Sequence, residues 1–421
     1  MSKYLINYPK KINKKNFNKN LKLPKVKYGL PRNVLYCKKC VISNQRPSSS
    51  VEFKNRDKNK EYINFNENSV CDACLFAEKK KNFIDWNKRE DELIKLCDKF
   101  RKNSTGYDCV IPGSGGKDSF YAAHILKYKY GMNPLTVTWA PHLYTDIGWR
   151  NFENWMHVGG LDNLLFTPNG KLHRLLTRLA FVNLLHPFQP FIIGQKLVGP
   201  KVASKFNIKL VFYGENQAEY GNNIKENFNP EMNTDFFSKK SEKIILGGKT
   251  INHIIKNYKY NLSDFNPYIP EGLKVIKKNK IKFYYLGYYL KWDPQEVYYY
   301  ASQNTGFSAN TERTQGTYSK YSSIDDKIDY FHYYTTLIKF GLGRASYDAS
   351  QEVRNGKITR DEAVYLVKKY DNEFPDKFFK DFLDYVNMSE KDFFTVIEKF
   401  RNKLLWKKTK KKWSLKYKVY G

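Results

Sequence analysis

The sequence contains no apolar run long enough to cross a membrane, and none of signal-peptide type near its start, so a cytoplasmic location is expected. Cysteine is scarce as well. Four of the 6 cysteines stand in two CxxC pairs, a pattern that suits a reducing compartment and a metal rather than a disulfide framework. Acidic residues are outnumbered: 42 Asp and Glu face 73 Lys and Arg, a formal charge of +31 over 421 residues. Such a field attracts nucleic acid, anionic lipid and phosphorylated small molecules alike, so charge alone selects none of them. Much of the surplus is Lys among abundant Asn, Ile, Tyr and Phe, which codon bias also produces. Apolar material is not lacking, since 41% hydrophobic and 16% aromatic residues argue for a folded protein of two or three domains.

The stretch with the most chemical content is Tyr107-Asp-Cys-Val-Ile-Pro-Gly-Ser-Gly-Gly-Lys-Asp-Ser119. Tyr107 to Ile111 reads as a buried strand, and Asp118 opens a helix in which Phe120, Ala123 and Leu126 share a face. Gly113, Gly115 and Gly116 allow a tight turn and a close backbone approach, while the free N–H groups of the helix start face an anion. Asp118 interrupts the Gly-Lys-[Ser/Thr] order of a Walker A loop. The plain alternative is a glycine turn whose Asp or Ser caps the helix. Ser114–Ser119 nevertheless resembles the pyrophosphate (PP) loop of the N-type ATP pyrophosphatases, which split ATP between its α and β phosphates. In that reading Lys117 neutralises departing pyrophosphate and Asp118 holds Mg²⁺.

Toward the N-terminus, residues 1–30 form a polar, basic extension, followed by Cys37-Lys-Lys-Cys40 and Cys71-Asp-Ala-Cys74. Four thiolates suit tetrahedral Zn²⁺ in a ribbon over 31–80, with an iron–sulfur cluster or a redox pair as alternatives. Cys97 and Cys109 read as small buried residues. Beyond the loop, strands at 135–139, 164–167 and 208–213 alternate with helices near 149–157, 171–185 and 190–206. The rhythm predicts an α/β, doubly wound parallel sheet with its ligands beyond the carboxyl ends of the strands. Those ends supply Thr138, Trp139, Gly214, Glu215 and Asn216, with Glu215 a candidate for Mg²⁺ or substrate, or simply for capping a loop. The core is expected to span 81–217, and an insertion or lid returning to it spans 218–290. The mainly helical region 291–421 carries helices near 294–303, 324–341, 359–370, 376–386 and 389–403. A lysine run interleaved with aromatics ends the chain; a docked segment with a solvated basic face is favoured over a nucleic-acid contact.

With these segments in view, the chain from about Tyr36 to Trp413 resembles the N-acetyl sugar amidotransferases of pseudaminic, legionaminic and O-antigen sugar pathways. The carriers are the two CxxC pairs, Pro112–Ser119, Val137–Gly148, Leu165–Lys171, His186-Pro-Phe-Gln-Pro190 and Phe212-Tyr-Gly-Glu-Asn216. Further carriers are Lys291–Glu296, Gly316–Tyr321, Phe340–Arg344 and Lys368–Asp371. Residues 1–30 lie outside the resemblance, and Gly113 replaces an apolar residue usual in the family. The resemblance implies conversion of an N-acetyl to an acetamidino group with ATP and ammonia. Pro112–Ser119, Thr138, Trp139, Gly214 and Asn216 would hold the nucleotide; Lys117, Asp118 and Glu215 would serve catalysis. His142, Tyr144, Lys171, Arg178, Arg313, Lys320 and Arg344 would face an anionic sugar or nucleotide sugar, though surface or ion-pair roles are as common for such residues. No glutaminase-like Cys–His–Glu set can be placed. Ammonia is therefore expected from a separate glutaminase; the resemblance implies one of the histidine-pathway type, alone or with a cyclase-like channel protein, and implies no membrane or nucleic-acid partner. The rival reading is a tRNA-modifying enzyme of the same superfamily, of thiolase or lysidine-synthetase type, which would suit the charge and the knuckles. A zinc-ribbon binding module leaves Ser114–Ser119 unexplained.

Overall fold

A five-stranded parallel sheet runs through the molecule, its strands ordered 162–166, 134–139, 109–112, 210–213 and 282–285 from edge to edge. The computed structural model describes residues 28–47, 62–101, 105–214, 228–232, 234, 237, 244–410 and 412–420. Two helices precede the sheet, α1 (Asp72–Asn82) and α2 (Trp86–Phe100). The sheet region then runs β1 (Cys109–Pro112), α3 (Lys117–Tyr128), β2 (Pro134–Trp139), α4 (Asp146–His157) and β3 (Asp162–Phe166). It continues through α5 (Gly170–Leu184), α6 (Gln189–Lys205) and β4 (Leu210–Tyr213), and closes with β5 (Lys282–Tyr285). Directly after it, Leu286–Tyr289 turns into a short helix.

Alternation along the strands covers both faces, as a doubly wound sheet requires. Val110 and Val211 pack with Leu172, Leu176 and Leu197 of α5 and α6, whereas Ile111 and Phe212 join Phe120 and Leu126 of α3 on the other side. Helix α6 crosses unusually close: a Cβ on Gly194 would lie 2.3 Å from the indole of Trp139, so no larger residue fits.

Beyond the sheet the chain is mainly helical, with α7 (Pro294–Asn304), α8 (Asp329–Phe340), α9 (Arg344–Arg354) and α10 (Arg360–Tyr370). There follow α11 (Phe379–Val386), α12 (Glu390–Phe400) and an antiparallel hairpin, β6 (Trp406–Thr409) and β7 (Lys412–Leu415). Phe181 of α5 packs among Phe331, Phe382 and Phe393, and so ties the helical region to the sheet. The basic tail is a docked hairpin. Trp406 and Leu415 are buried, and the Trp406 indole donates to the Ile338 carbonyl at 3.0 Å. Helix α8 begins at Asp329 rather than near 324, because Asp326 turns its carboxylate onto backbone amides: it accepts from His142 N at 2.8 Å and Ile328 N at 2.9 Å.

The β2–α4 connection is stitched to this segment. His142 Nδ1 lies 2.7 Å from Asp326, Lys327 N donates to the Leu143 carbonyl, and Thr145 bonds the Ile324 carbonyl. A Cβ on Gly148 would sit 2.5 Å from Asp325 Cα. The helical region is thereby held against the carboxyl ends of the strands. No helix among the described residues is long and apolar enough to cross a membrane.

Candidate active site

At the end of β1 the chain turns through Pro112-Gly-Ser-Gly-Gly116 into α3. Gly115 takes φ +84°, and a Cβ there would lie 2.9 Å from Phe152 Cα, so both conformation and space demand glycine. A Cβ at Gly113 would collide with Ser119 at 2.3 Å. Gly116 is the N-cap and no side chain caps the helix; Ser119 instead donates back to the Gly116 carbonyl at 2.8 Å. The capping alternative therefore fails. The first amides of a 12-residue helix are left for an external acceptor, with the positive end of the helix dipole behind them. Lys117 is nearly buried, and its ammonium reaches both Asp118 oxygens at 2.7 Å.

The loop opens into a cavity of about 500 Å³ walled by Ser114–Asp118, the 319–325 segment, and residues of α8 and α9. Asn151, Gln195, Ser319, Ser322 and Gln351 make it polar, and Phe188, Phe307, Tyr321, Tyr333 and Tyr347 add ring faces. Ser114 donates to Asp325, whose carboxyl is raised to about 6 by burial and by the charge of Asp326. Asp329 is raised to about 7 by burial, against the opposing pull of Arg344 and a hydrogen bond from Ser323. Arg344 Nε pairs with Asp348 at 2.9 Å, and its guanidinium lies 4.3 Å from the Tyr333 ring. The loop thus faces groups that can accept protons near neutral pH.

Only some of the expected site residues reach the cavity. Ser114, Gly115, Gly116, Lys117, Asp118 and Arg344 line the cavity. Pro112, Gly113, Ser119 and Gly214 shape the loop from behind; Gly214 lies against Trp292 and the Asp118 carbonyl. Thr138 and Trp139 do not reach the cavity: the Thr138 hydroxyl accepts from Asn163, and the indole is core, stacked on Phe166. Glu215 and Asn216 lie outside the described residues.

Among the sugar-side candidates, His142 is fully buried against Asp326 and the His173 ring. Tyr144 stacks edge-on with Trp149. Arg178 is buried and donates to the Val386 and Asn387 carbonyls at the end of α11. Arg313 forms a fork with Glu373 at 2.5 and 2.6 Å. Lys171 and Lys320 are exposed, and neither lines the cavity. The sequence reading missed Asp325, Asp329, Asp348 and Arg46; the adjacent Asp325-Asp326 pair was its available signal.

Beside the cavity, the Sγ atoms of Cys37, Cys40, Cys71 and Cys74 all lie within 4.8 Å of one another, and each residue is buried. Cys37–Cys74 and Cys40–Cys71 are 3.9 and 3.8 Å apart. Ligands about 2.3 Å from one tetrahedral ion stand about 3.8 Å from each other, so the spacing fits a single ion. Backbone N–H groups of Lys39, Cys40 and Cys71 point at the Cys37 sulfur, which is held low by hydrogen bonds from the other thiols. Cys97 is pushed up to about 12 by burial, and Cys109 is raised well above its usual value for the same reason.

Residues 315–420 match the family described as LPS biosynthesis protein WbpG-like, C-terminal domain. The C-terminal region is WbpG-like. The match takes in Asp325, Asp329 and Arg344, and it supports the sugar amidotransferase family suspected from the sequence. A segment of 81 residues is 36% identical to an uncharacterized protein of Methanocaldococcus jannaschii, covering 19% of this chain and 28% of that relative. The chain therefore spans little more than a quarter of that relative. Among solved structures, NMN synthetase from Francisella tularensis aligns at 16% identity and a TM-score of 0.25, covering 32% of this chain and 57% of that one. The U34-tRNA thiolase NcsA from Methanococcus maripaludis, solved with its [4Fe-4S] cluster, aligns at 12% identity and a TM-score of 0.30, covering 75% and 89%. Superpositions this loose carry no weight here, and the fold rests on the strand order itself.

Asp329 also predicts a pH signature. An unfolded Asp titrates near 3.9, whereas here the group titrates at about 7. Between those values the folded state holds the extra proton, so this group's contribution to stability is present at acid pH and is lost as pH rises through 7. Asp329→Asn should therefore be more stable than wild type at pH 8, by up to about 4 kcal/mol, and equal to it near pH 4. Urea unfolding across that range checks this; a stability difference that does not change with pH contradicts the raised pKa of Asp329.

Proposed function

We propose that the protein is an ATP-dependent amidotransferase that converts the N-acetyl group of a bacterial surface sugar into an acetamidino group. One observation carries this reading: an uncapped helix start behind a Ser-Gly-Gly-Lys-Asp-Ser loop opens into a polar, ring-lined cavity completed by the WbpG-like region. The loop and helix start suit phosphates, and hydroxyls with aromatic faces suit a sugar.

An amide carbon is a poor electrophile, and its oxygen does not leave unaided. In the proposed reaction the amide oxygen attacks the α-phosphorus of ATP, the bond to the bridging oxygen breaks, and pyrophosphate departs. Ammonia then adds to the imidate carbon, the carbon–oxygen bond breaks, and AMP leaves the amidinium behind. Lys117 and the α3 amides would stabilise charge on the phosphates, and Asp118 would hold a magnesium ion beside them. Ammonium must lose a proton before it can attack. Asp325, half-buried beside Ser114, and Asp329 are suited to accept it at neutral pH. Ammonia would come from a partner glutaminase.

Zinc is the ion we assign to the four cysteines, in a structural role, since all four positions are thiolates and no open coordination site remains. Elemental analysis that finds iron with inorganic sulfide would contradict this. The tRNA-modifying alternative is supported by the +31 charge. It is weakened by Cys97 and Cys109, which are buried with raised thiols rather than poised beside the loop.

Supplied with ATP, Mg²⁺, ammonium and a panel of N-acetylated sugars, free and nucleotide-linked, the enzyme should release AMP and pyrophosphate. One sugar should become lighter by the difference between O and NH. Lys117→Ala should abolish AMP formation while the protein stays folded. AMP release that depends on tRNA instead of a sugar overturns the assignment.

A further inference from the structure

The cations lining the cavity do not have equivalent partners. Lys117 is held by Asp118 at 2.7 Å, and Arg344 by Asp348 at 2.9 Å. The third, Arg46, is 5% exposed, and its Nη1 has no hydrogen-bond partner among the described residues. No carboxylate is paired with it there. Other buried arginines are satisfied differently: Arg174 and Arg178 each donate to carbonyls at the end of α11. Arg46 instead lies 5.3 Å from the Tyr347 ring, beside the hydroxyl of that residue, and lines the same cavity as the phosphate loop.

Its position is fixed from below. Arg46 N donates to the Ser43 carbonyl, Ile63 N donates to the Arg46 carbonyl, and Pro47 pairs with Tyr62. The segment between the two CxxC pairs therefore delivers a guanidinium into the wall formed by α9. Burial and the nearby Arg354 work against this charge, while the Tyr347 hydroxyl and the Cys71 sulfur act in its favour. Neither neighbour satisfies Nη1, and the planar fork of a guanidinium suits the paired oxygens of a carboxylate or phosphate.

We propose that Arg46 is the anion-recognising residue of the cavity, binding a carboxylate or phosphate group of the sugar substrate. The inference rests on the reading of the cavity as a sugar site. It gives the cysteine module a direct part in substrate binding and makes the preferred substrate an acidic or phosphorylated N-acetyl sugar rather than a neutral one.

Calorimetric titration with probes of defined charge tests it: an N-acetylhexosaminuronate, an N-acetylhexosamine 1-phosphate, the neutral N-acetylhexosamine, and a non-hydrolysable ATP analogue. Wild type should bind one of the acidic probes at least about 10-fold more tightly than the neutral sugar. Which acidic probe responds identifies the group. Arg46→Gln should erase that preference while leaving the neutral sugar and the ATP analogue unaffected, and Arg46→Lys should restore part of it. Unchanged affinity for both acidic probes in Arg46→Gln overturns the proposal, as does loss of the ATP analogue instead.

A second measurement needs no variant. Phenylglyoxal labelling of the wild-type protein, read by peptide mass, should show Arg46 protected by the acidic probe and not by the neutral one. Labelling that no probe alters overturns the assignment, including when Arg46→Gln releases the metal, which would place Arg46 in service of the cysteines. Failure of every sugar to yield AMP would sink the proposed reaction, yet it would leave these binding results to stand or fall separately.

Discussion

The helix dipole and unpaired amides at the start of α3 are the constraint from which the rest of the site follows. A side-chain cap would have satisfied those amides internally; Gly116 supplies none, and Ser119 turns back to a carbonyl instead. The cost of leaving donors open is tolerable only where a ligand or water can accept from them. Gly115, held at φ +84° against the backbone of Phe152, keeps the loop in the shape that exposes them. A buried β1, covered on both faces, anchors the turn so that the amides hold one direction.

The opposite wall depends on a different interaction. Asp326 gathers the amides of His142, Leu143 and Ile328 together with the His142 ring, at 2.7 to 3.3 Å. This joins the end of β2 to the start of α8 and brings Asp325 and Asp329 to face the glycine loop. The cysteine module adds the remaining edge, because the chain that closes its knuckle also carries Arg46. Elements far apart in sequence thus meet in one cavity, each fixed by contacts made outside it.

What was legible in the sequence was local. Apolar runs between turn residues gave the strands, and the glycine loop and CxxC spacing needed only nearby residues to be read. The lysine-rich tail, with Trp406 and Leu415 turned inward, was legible as a docked segment, though its hairpin was not. Helix α9 escaped because Arg344–Arg354 is polar along most of its length and shows its small buried face, Ala345 and Ala349, only once packed. The sugar-side candidates illustrate the limit more sharply. Arg178 and Arg313 look alike in sequence, yet one caps α11 and the other pairs with Glu373, and only tertiary contacts decide that. Asp325 escaped notice for the same reason: its raised pKa comes from burial and from Asp326, neither of which composition displays.

The central claim is that the loop presents the innermost phosphorus of ATP to an amide oxygen. Labelling the acetyl carbonyl of the responsive sugar with heavy oxygen tests this directly, since the account requires that atom to leave with the nucleotide. Mass spectrometry should find the label in the phosphate of AMP and none in pyrophosphate. Label retained on the sugar, or found in inorganic phosphate released with ADP, would contradict it.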